Sequence, residues 1–135
     1  MADTTTILIA EDERHTRDAI SLLLENAGYR VFLTDTGKEA VAIIDRFRGT
    51  EMSIGLLILD IEMSGLTGIQ VLNSIRSHGD STPTVVITGL TGPELSAGLR
   101  SRGCVEILSK PFDPEQLVEA VSRALGNGHG KQAAV

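Results

Sequence analysis

Apolar residues along this chain follow two alternating patterns. Continuous runs at 7–10, 31–33, 56–59, 85–87 and 105–108 are separated by stretches where apolar positions return every three or four residues. Continuous runs are what parallel strands require when both faces of their sheet are covered. The run at 105–108 is the weakest, because Glu106 interrupts it. Between the runs, Ile20, Leu23, Leu24 and Ala27 fall at i, i+3, i+4 and i+7. Ala40, Ile43, Ile44 and Phe47 repeat the spacing, as do Gly68, Val71, Leu72 and Ile75. Each set predicts a helix with one apolar stripe that can lie on a sheet.

The boundaries between segments carry their own signals. Thr36 and Glu39 predict a capping box at the start of the second helix. Asp113 and Pro114, with Gln116 following, predict a sharp start for the fifth. Gly28 and Gly126 stand where helices should stop. The fourth helix, expected over 93–102, is poorly written. It offers only Leu95 and Leu99 as large apolar residues, and Gly98 inside it costs about 1 kcal/mol relative to alanine.

Strand–helix alternation repeated five times predicts an α/β fold of (βα)5 type: a doubly wound, flavodoxin-like parallel sheet in the order 2-1-3-4-5. The length of 135 residues suits one such domain. It is expected over 1–126, with 127–135, rich in glycine and small residues, as a flexible C-terminal tail.

Composition narrows the picture. Apolar residues make up 41% of the chain but aromatics only 3%, so the core must be built from aliphatic side chains. The net charge of −6, with no run of Lys or Arg, disfavours phosphate contacts and predicts no nucleic-acid partner. No apolar run approaches the roughly 20 residues of a membrane helix, and the N-terminus lacks a basic region before its apolar run. No membrane association is therefore expected. Cys104 is the single cysteine, which fits a reducing cytoplasm, and it reads as a small apolar residue opening a strand.

In an open α/β sheet, ligands bind beyond the carboxyl ends of the strands. The residues there are Glu11 and Asp12 after the first strand, Asp60 at the third, Thr88 and Gly89 at the fourth, and Lys110 after the fifth. Converging carboxylates repel one another, and a divalent cation removes the conflict. Mg²⁺ takes oxygen ligands and is usually held by one or two carboxylates with water and phosphate. Asp12 and Asp60 supply carboxylates, Glu11 a direct or water-mediated third, and the Glu62 backbone carbonyl a fourth oxygen. A carboxylate is also a competent nucleophile toward phosphorus. Phosphoryl transfer needs in-line positioning and neutralised equatorial oxygens. Lys110, the Thr88 hydroxyl and the Gly89 amide are candidates for that work.

These residues resemble the response-regulator receiver family over roughly 5–125. The shared features are Glu11-Asp12, the segment ending in Asp60 with Met63, Gly65 and Gly68 after it, Thr88-Gly89, and Lys110-Pro111-Phe112. The resemblance implies that Asp60 is the phosphoacceptor and that Glu11 and Asp12 form the metal pocket. It further implies that Thr88 is a switch hydroxyl, that Lys110 contacts the phosphoryl group and that the Lys110–Pro111 bond is cis. Three positions depart from the family. Ser64 replaces a common proline, Gly89 a common alanine, and Ile107 the aromatic that often serves as a rotating switch.

The expected function is that of a single-domain response regulator, a signalling switch and not a turnover enzyme. A histidine kinase or a histidine phosphotransfer protein would phosphorylate Asp60. A downstream protein would dock on the face made by the fourth helix, fifth strand and fifth helix. A haloacid-dehalogenase-type phosphatase is a rival, because Asp60-Ile61-Glu62 echoes its paired carboxylates. A receiver fold that binds without being phosphorylated, and a receiver excised from a hybrid kinase, are the others.

Overall fold

Every apolar run becomes a strand one or two residues longer than the run itself. In the computed structural model, which describes residues 4–63, 65–90 and 92–126, the strands are β1 (Thr6–Ala10), β2 (Arg30–Thr34), β3 (Leu56–Asp60), β4 (Thr84–Thr88) and β5 (Cys104–Ser109). The helices between and after them are α1 (Arg14–Asn26), α2 (Gly37–Phe47), α3 (Gly68–Ser77), α4 (Pro93–Ser101) and α5 (Pro114–Ala124). The strands pair in parallel in the order β2-β1-β3-β4-β5, as the alternation predicts. The expected tail at 127–135, and Ser64, lie outside the described residues.

Strand side chains alternate between two faces, so each strand feeds two cores. Leu8, Leu57, Leu59 and Val86 point to one side, where Ala40, Ile44, Val71, Leu72, Ile75 and Leu99 cover them from α2, α3 and α4. Ile7, Ile9, Leu56, Ile58, Val85 and Ile87 point to the other, under Ile20 and Leu24 of α1 and Leu117, Ala120 and Val121 of α5. Each fully buried Leu or Ile contributes about 1.5–3 kcal/mol. β1, β3 and β4 are buried at every position, which makes the middle of the sheet a rigid base for whatever lies at its carboxyl edge.

Helix ends follow the sequence in part. Gln116 Oε1 accepts from the Asp113 amide at 2.7 Å, as the Asp-Pro-x-Gln pattern predicts. Thr36 caps α2 through the Glu39 amide, but the box does not close. The Glu39 carboxylate instead takes the hydroxyl of Thr34, a buried residue that has to satisfy its polar atom. A complete box forms at Thr67 and Gln70, where α3 begins. Gly28 and Gly126 end their helices with φ of +99° and +75°. Cys104 opens β5 and is buried.

Candidate functional site

Register brings the acidic residues together. β1 and β3 are neighbours with Ala10 opposite Leu59, so Glu11 and Asp60, one residue further on, are side by side where the chain direction of the crossovers reverses. On the other flank, Asp60 pairs with Ile87, which sets Thr88 just beyond it. The Lys110 amide donates to the Thr88 carbonyl at 2.8 Å and delivers the lysine to the same edge. The Lys110–Pro111 bond is cis, as the resemblance implies.

Carboxylate oxygens of Glu11, Asp12 and Asp60 all lie within 4.8 Å of one another. Glu11 and Asp60 are buried and Asp12 is exposed. Lys110 Nζ stands 3.1 Å from Glu11 Oε1 and 3.4 Å from Asp60 Oδ2. Glu11 Oε2 accepts from the Glu13 amide at 3.1 Å, and Asp60 Oδ1 from the Glu62 amide at 2.9 Å. Glu11 Oε1 is buried and, although close to the ammonium, receives no aligned hydrogen bond.

Burial pushes the Glu11 carboxyl up to about 7, and the neighbouring Asp60 carboxylate adds to the shift. The Glu13 amide and Lys110 oppose it without cancelling it. Desolvation tends to lower the Lys110 pKa, but Glu11 and Asp60 outweigh it and the ammonium is held charged. A pocket of hard oxygens, one of them buried without an aligned donor and one carboxyl held partly protonated, fits a small divalent cation.

The Thr88 side chain is buried, and its Oγ1 accepts from the Leu90 amide at 2.9 Å. Ile107 is half-buried and packs at the edge of the α2–α3–α4 core. Three contacts escape the sequence reading. The Glu62 carboxylate, weighed there only as the second acid of a rival phosphatase pair, accepts from the Gly89 amide at 2.9 Å. Glu13 is the N-cap of α1 and accepts from the Thr16 and His15 amides. Arg17 donates to the Glu11 carbonyl at 2.9 Å. Glutamate is not among the preferred caps, and neither the Glu62 nor the Arg17 contact has a local sequence signature.

The fold and its acidic edge define an open α/β domain with a cation-ready pocket at the switch point of the sheet. More narrowly, residues 7–122 match the model of the response regulator receiver domain, and the chain belongs to that family. It is 30% identical over 119 residues to the transcriptional regulatory protein FixJ of Bradyrhizobium diazoefficiens, a match covering 88% of this chain and 56% of that protein. Among solved structures, the chemotaxis protein CheY4 of Vibrio cholerae is similar with a TM-score of 0.81 at 28% identity, covering 90% of this chain and 98% of that one. A DNA-binding response regulator of the LuxR family from Staphylococcus aureus is similar with a TM-score of 0.79 at 28% identity, over 90% of this chain and 98% of that chain. The chain spans about half the length of the curated relatives it matches first.

One expectation is corrected here. Nucleic acid was excluded as a partner on the net charge of −6. Relatives matching over most of this chain are named as transcriptional regulators, and one similar structure is of a DNA-binding protein. Charge summed over one receiver reports only the surface of that receiver. It says nothing of the remaining half of a regulator, so the exclusion does not hold. Among the described residues, no helix is long and apolar enough to cross a membrane.

Proposed function

We propose that the receiver, over 1–126, takes a phosphoryl group on Asp60 from a histidine kinase or a histidine phosphotransfer protein, and that the resulting aspartyl phosphate changes its conformation. The observation that carries this reading is the Lys110 ammonium between two buried carboxylates, 3.1 Å from Glu11 and 3.4 Å from Asp60. A structural ion pair needs one acid; this lysine serves two and faces the nucleophile. Mg²⁺ would be held by Glu11, Asp12, Asp60 and the Glu62 backbone carbonyl. When bound, it supplies positive charge to the oxygens of the transferring group.

An Asp60 carboxylate oxygen forms the new O–P bond while the bond from phosphorus to the donor nitrogen breaks, the nitrogen leaving with its electron pair. Lys110 neutralises one equatorial oxygen, and the Thr88 hydroxyl donates to another. Hydrolysis by water on the same site resets the switch. Turnover of free phosphate esters is not part of the reading, because the nucleophile follows the third strand and the haloacid-dehalogenase pair follows the first. The free, buried Cys104 is in keeping with the cytoplasm. A transcriptional output is favoured by the names of the longer relatives.

The test is intact mass after exposure to phosphoramidate and Mg²⁺. A gain of one phosphoryl group that Asp60→Asn removes is expected; a gain that survives the substitution refutes the assignment. In the same preparation, Mg²⁺ at about ten times its Kd should stabilise the fold by roughly 1.4 kcal/mol, and Asp12→Ala should abolish that gain.

A further inference from the structure

The Gly89 amide, one of the donors assigned above to a phosphoryl oxygen, already has an acceptor. It donates to Glu62 Oε1 at 2.9 Å. At its other end Glu62 donates its own amide to Asp60 Oδ1, also at 2.9 Å. Glu62 thus spans the space between the nucleophile and the loop joining β4 to α4, with an anionic oxygen on the switch-loop amide. The residue at 89 suits this arrangement. A Cβ there would lie 3.3 Å from Glu62 Oε1, so glycine leaves the carboxylate room that a larger residue would narrow by a few tenths of an ångström.

We propose that Glu62 is an internal occupant of the phosphoryl site. It holds the β4–α4 loop in its resting position by taking the hydrogen bond that a phosphoryl oxygen must take, and it thereby sets how readily Asp60 is modified. The inference rests on the reading of Asp60 given above. Two anionic oxygens cannot share one N–H at full strength, so entry of the phosphoryl group requires Glu62 to leave. A competitor tethered two residues from the nucleophile acts at high effective concentration. Both Glu62 and Gly89 are exposed, so water offsets much of the bond. The occupant therefore yields to the phosphoryl group and slows it rather than blocking it.

Two substitutions separate the contact from the charge. Glu62→Asp keeps the charge and shortens the reach by one methylene; Glu62→Gln keeps the reach and removes the charge. With phosphoramidate and Mg²⁺, both should be phosphorylated about threefold to tenfold faster than the wild type, and both should bind beryllofluoride tighter by a similar factor. In the unphosphorylated protein the Gly89 amide proton should move upfield in both, a signature that general loosening of the fold does not produce. If only Glu62→Gln is faster, while Glu62→Asp keeps the wild-type rate and Gly89 resonance, the effect is bulk charge and the proposal fails. If the wild type gains a phosphoryl group and neither variant differs from it, the proposal fails while Asp60 stands. If the wild type gains none, the reading of Asp60 fails and takes this one with it.

Discussion

Lys110 Nζ lies 3.1 Å from Glu11 Oε1, an oxygen that is fully buried. Burial alone would leave Glu11 neutral, and the ammonium opposes that without overcoming it, so the carboxyl titrates near 7 rather than near 4.5. The pair is poised between two charge states around neutrality. A cation held by Glu11, Asp12 and Asp60 would favour the ionised form of Glu11, which Lys110 only partly secures.

This poise has a sign that melting can read. The folded pKa of Glu11, about 7, lies above its ordinary value of 4.5, so the folded state keeps a proton that the unfolded state has lost across that window. Stability from this group is fully present below 4.5 and is lost as pH rises through 7. In EDTA, the wild-type Tm should fall between pH 5 and 8 relative to that of Glu11→Gln. Lys110→Met should steepen the fall, because it costs most where Glu11 is ionised. Parallel wild-type and Glu11→Gln profiles would refute the shift.

Gly68 carries a second prediction. A Cβ at this position would lie 2.6 Å from the Ile61 Cα and 2.9 Å from the Asp60 carbonyl. Both are backbone atoms that cannot swing aside, so α3 can begin this close to the end of β3 only with glycine. Gly68→Ala should destabilise by about 1–3 kcal/mol in urea unfolding, although alanine is the better helix former. Because the obstructed backbone carries Asp60, phosphorylation should slow as well. An unchanged urea midpoint would show that the two segments separate freely.

The strands were legible because buried parallel strands write themselves as unbroken apolar runs, and β1 and β3 are buried throughout. The site followed from those runs by one rule about strand ends, which needs no knowledge of side-chain direction. What stayed hidden depends on direction or distance. The Glu62 carboxylate reaches across to Gly89, 27 residues away. Glu39 leaves its box for Thr34 because that hydroxyl is buried, and burial of a single polar atom is not written locally. The box at Thr67 and Gln70 was available in the Thr-x-x-Gln pattern. The exclusion of nucleic acid failed for another reason: net charge is a property of the segment summed.

Arg76 is a third target. Its guanidinium donates to the carbonyls of Asp80, Thr82, Arg102 and Gly103 and to the Thr84 hydroxyl, tying the end of α4 to the β4 approach. Arg102 adds bonds to Asn73 and to the Gly98 carbonyl. At the other end, α4 starts at Gly92 without a side-chain cap, and Leu99 is its only buried residue. The helix should therefore open from its N-terminal end. Amide exchange at Ser96 and Ala97 should be faster than at Arg102 and Gly103. Arg76→Met should erase that difference and cost about 2–4 kcal/mol, since several carbonyls lose a charged donor together. Uniform exchange along α4 in the wild type would contradict the pinned-end picture.

On the reading proposed for Asp60, Thr88 would carry the signal out of the site, and Ile107 would take no active part. At rest the Thr88 hydroxyl oxygen accepts from the Leu90 amide at 2.9 Å, so the β4–α4 loop is fastened to the residue that should move. A phosphoryl oxygen on Asp60 offers that hydroxyl a charged acceptor, a stronger partner than any neutral one. Rotating toward it would pull on the loop through Leu90. Ile107 lies opposite Val86 in the sheet and is half-buried against the α2–α3–α4 core. It has no ring to swing into vacated space, and its β-branch restricts its rotamers. It would then only fill volume, and a loss of one methylene there should be tolerated. Thr88→Ala should therefore leave α4 chemical shifts unmoved by beryllofluoride, even with the anion bound. Ile107→Val should keep the wild-type pattern of shifts at a cost of about 0.5–1.5 kcal/mol in stability. The reverse result, a lost response in Ile107→Val with a preserved one in Thr88→Ala, would place the switch on β5 instead of the loop.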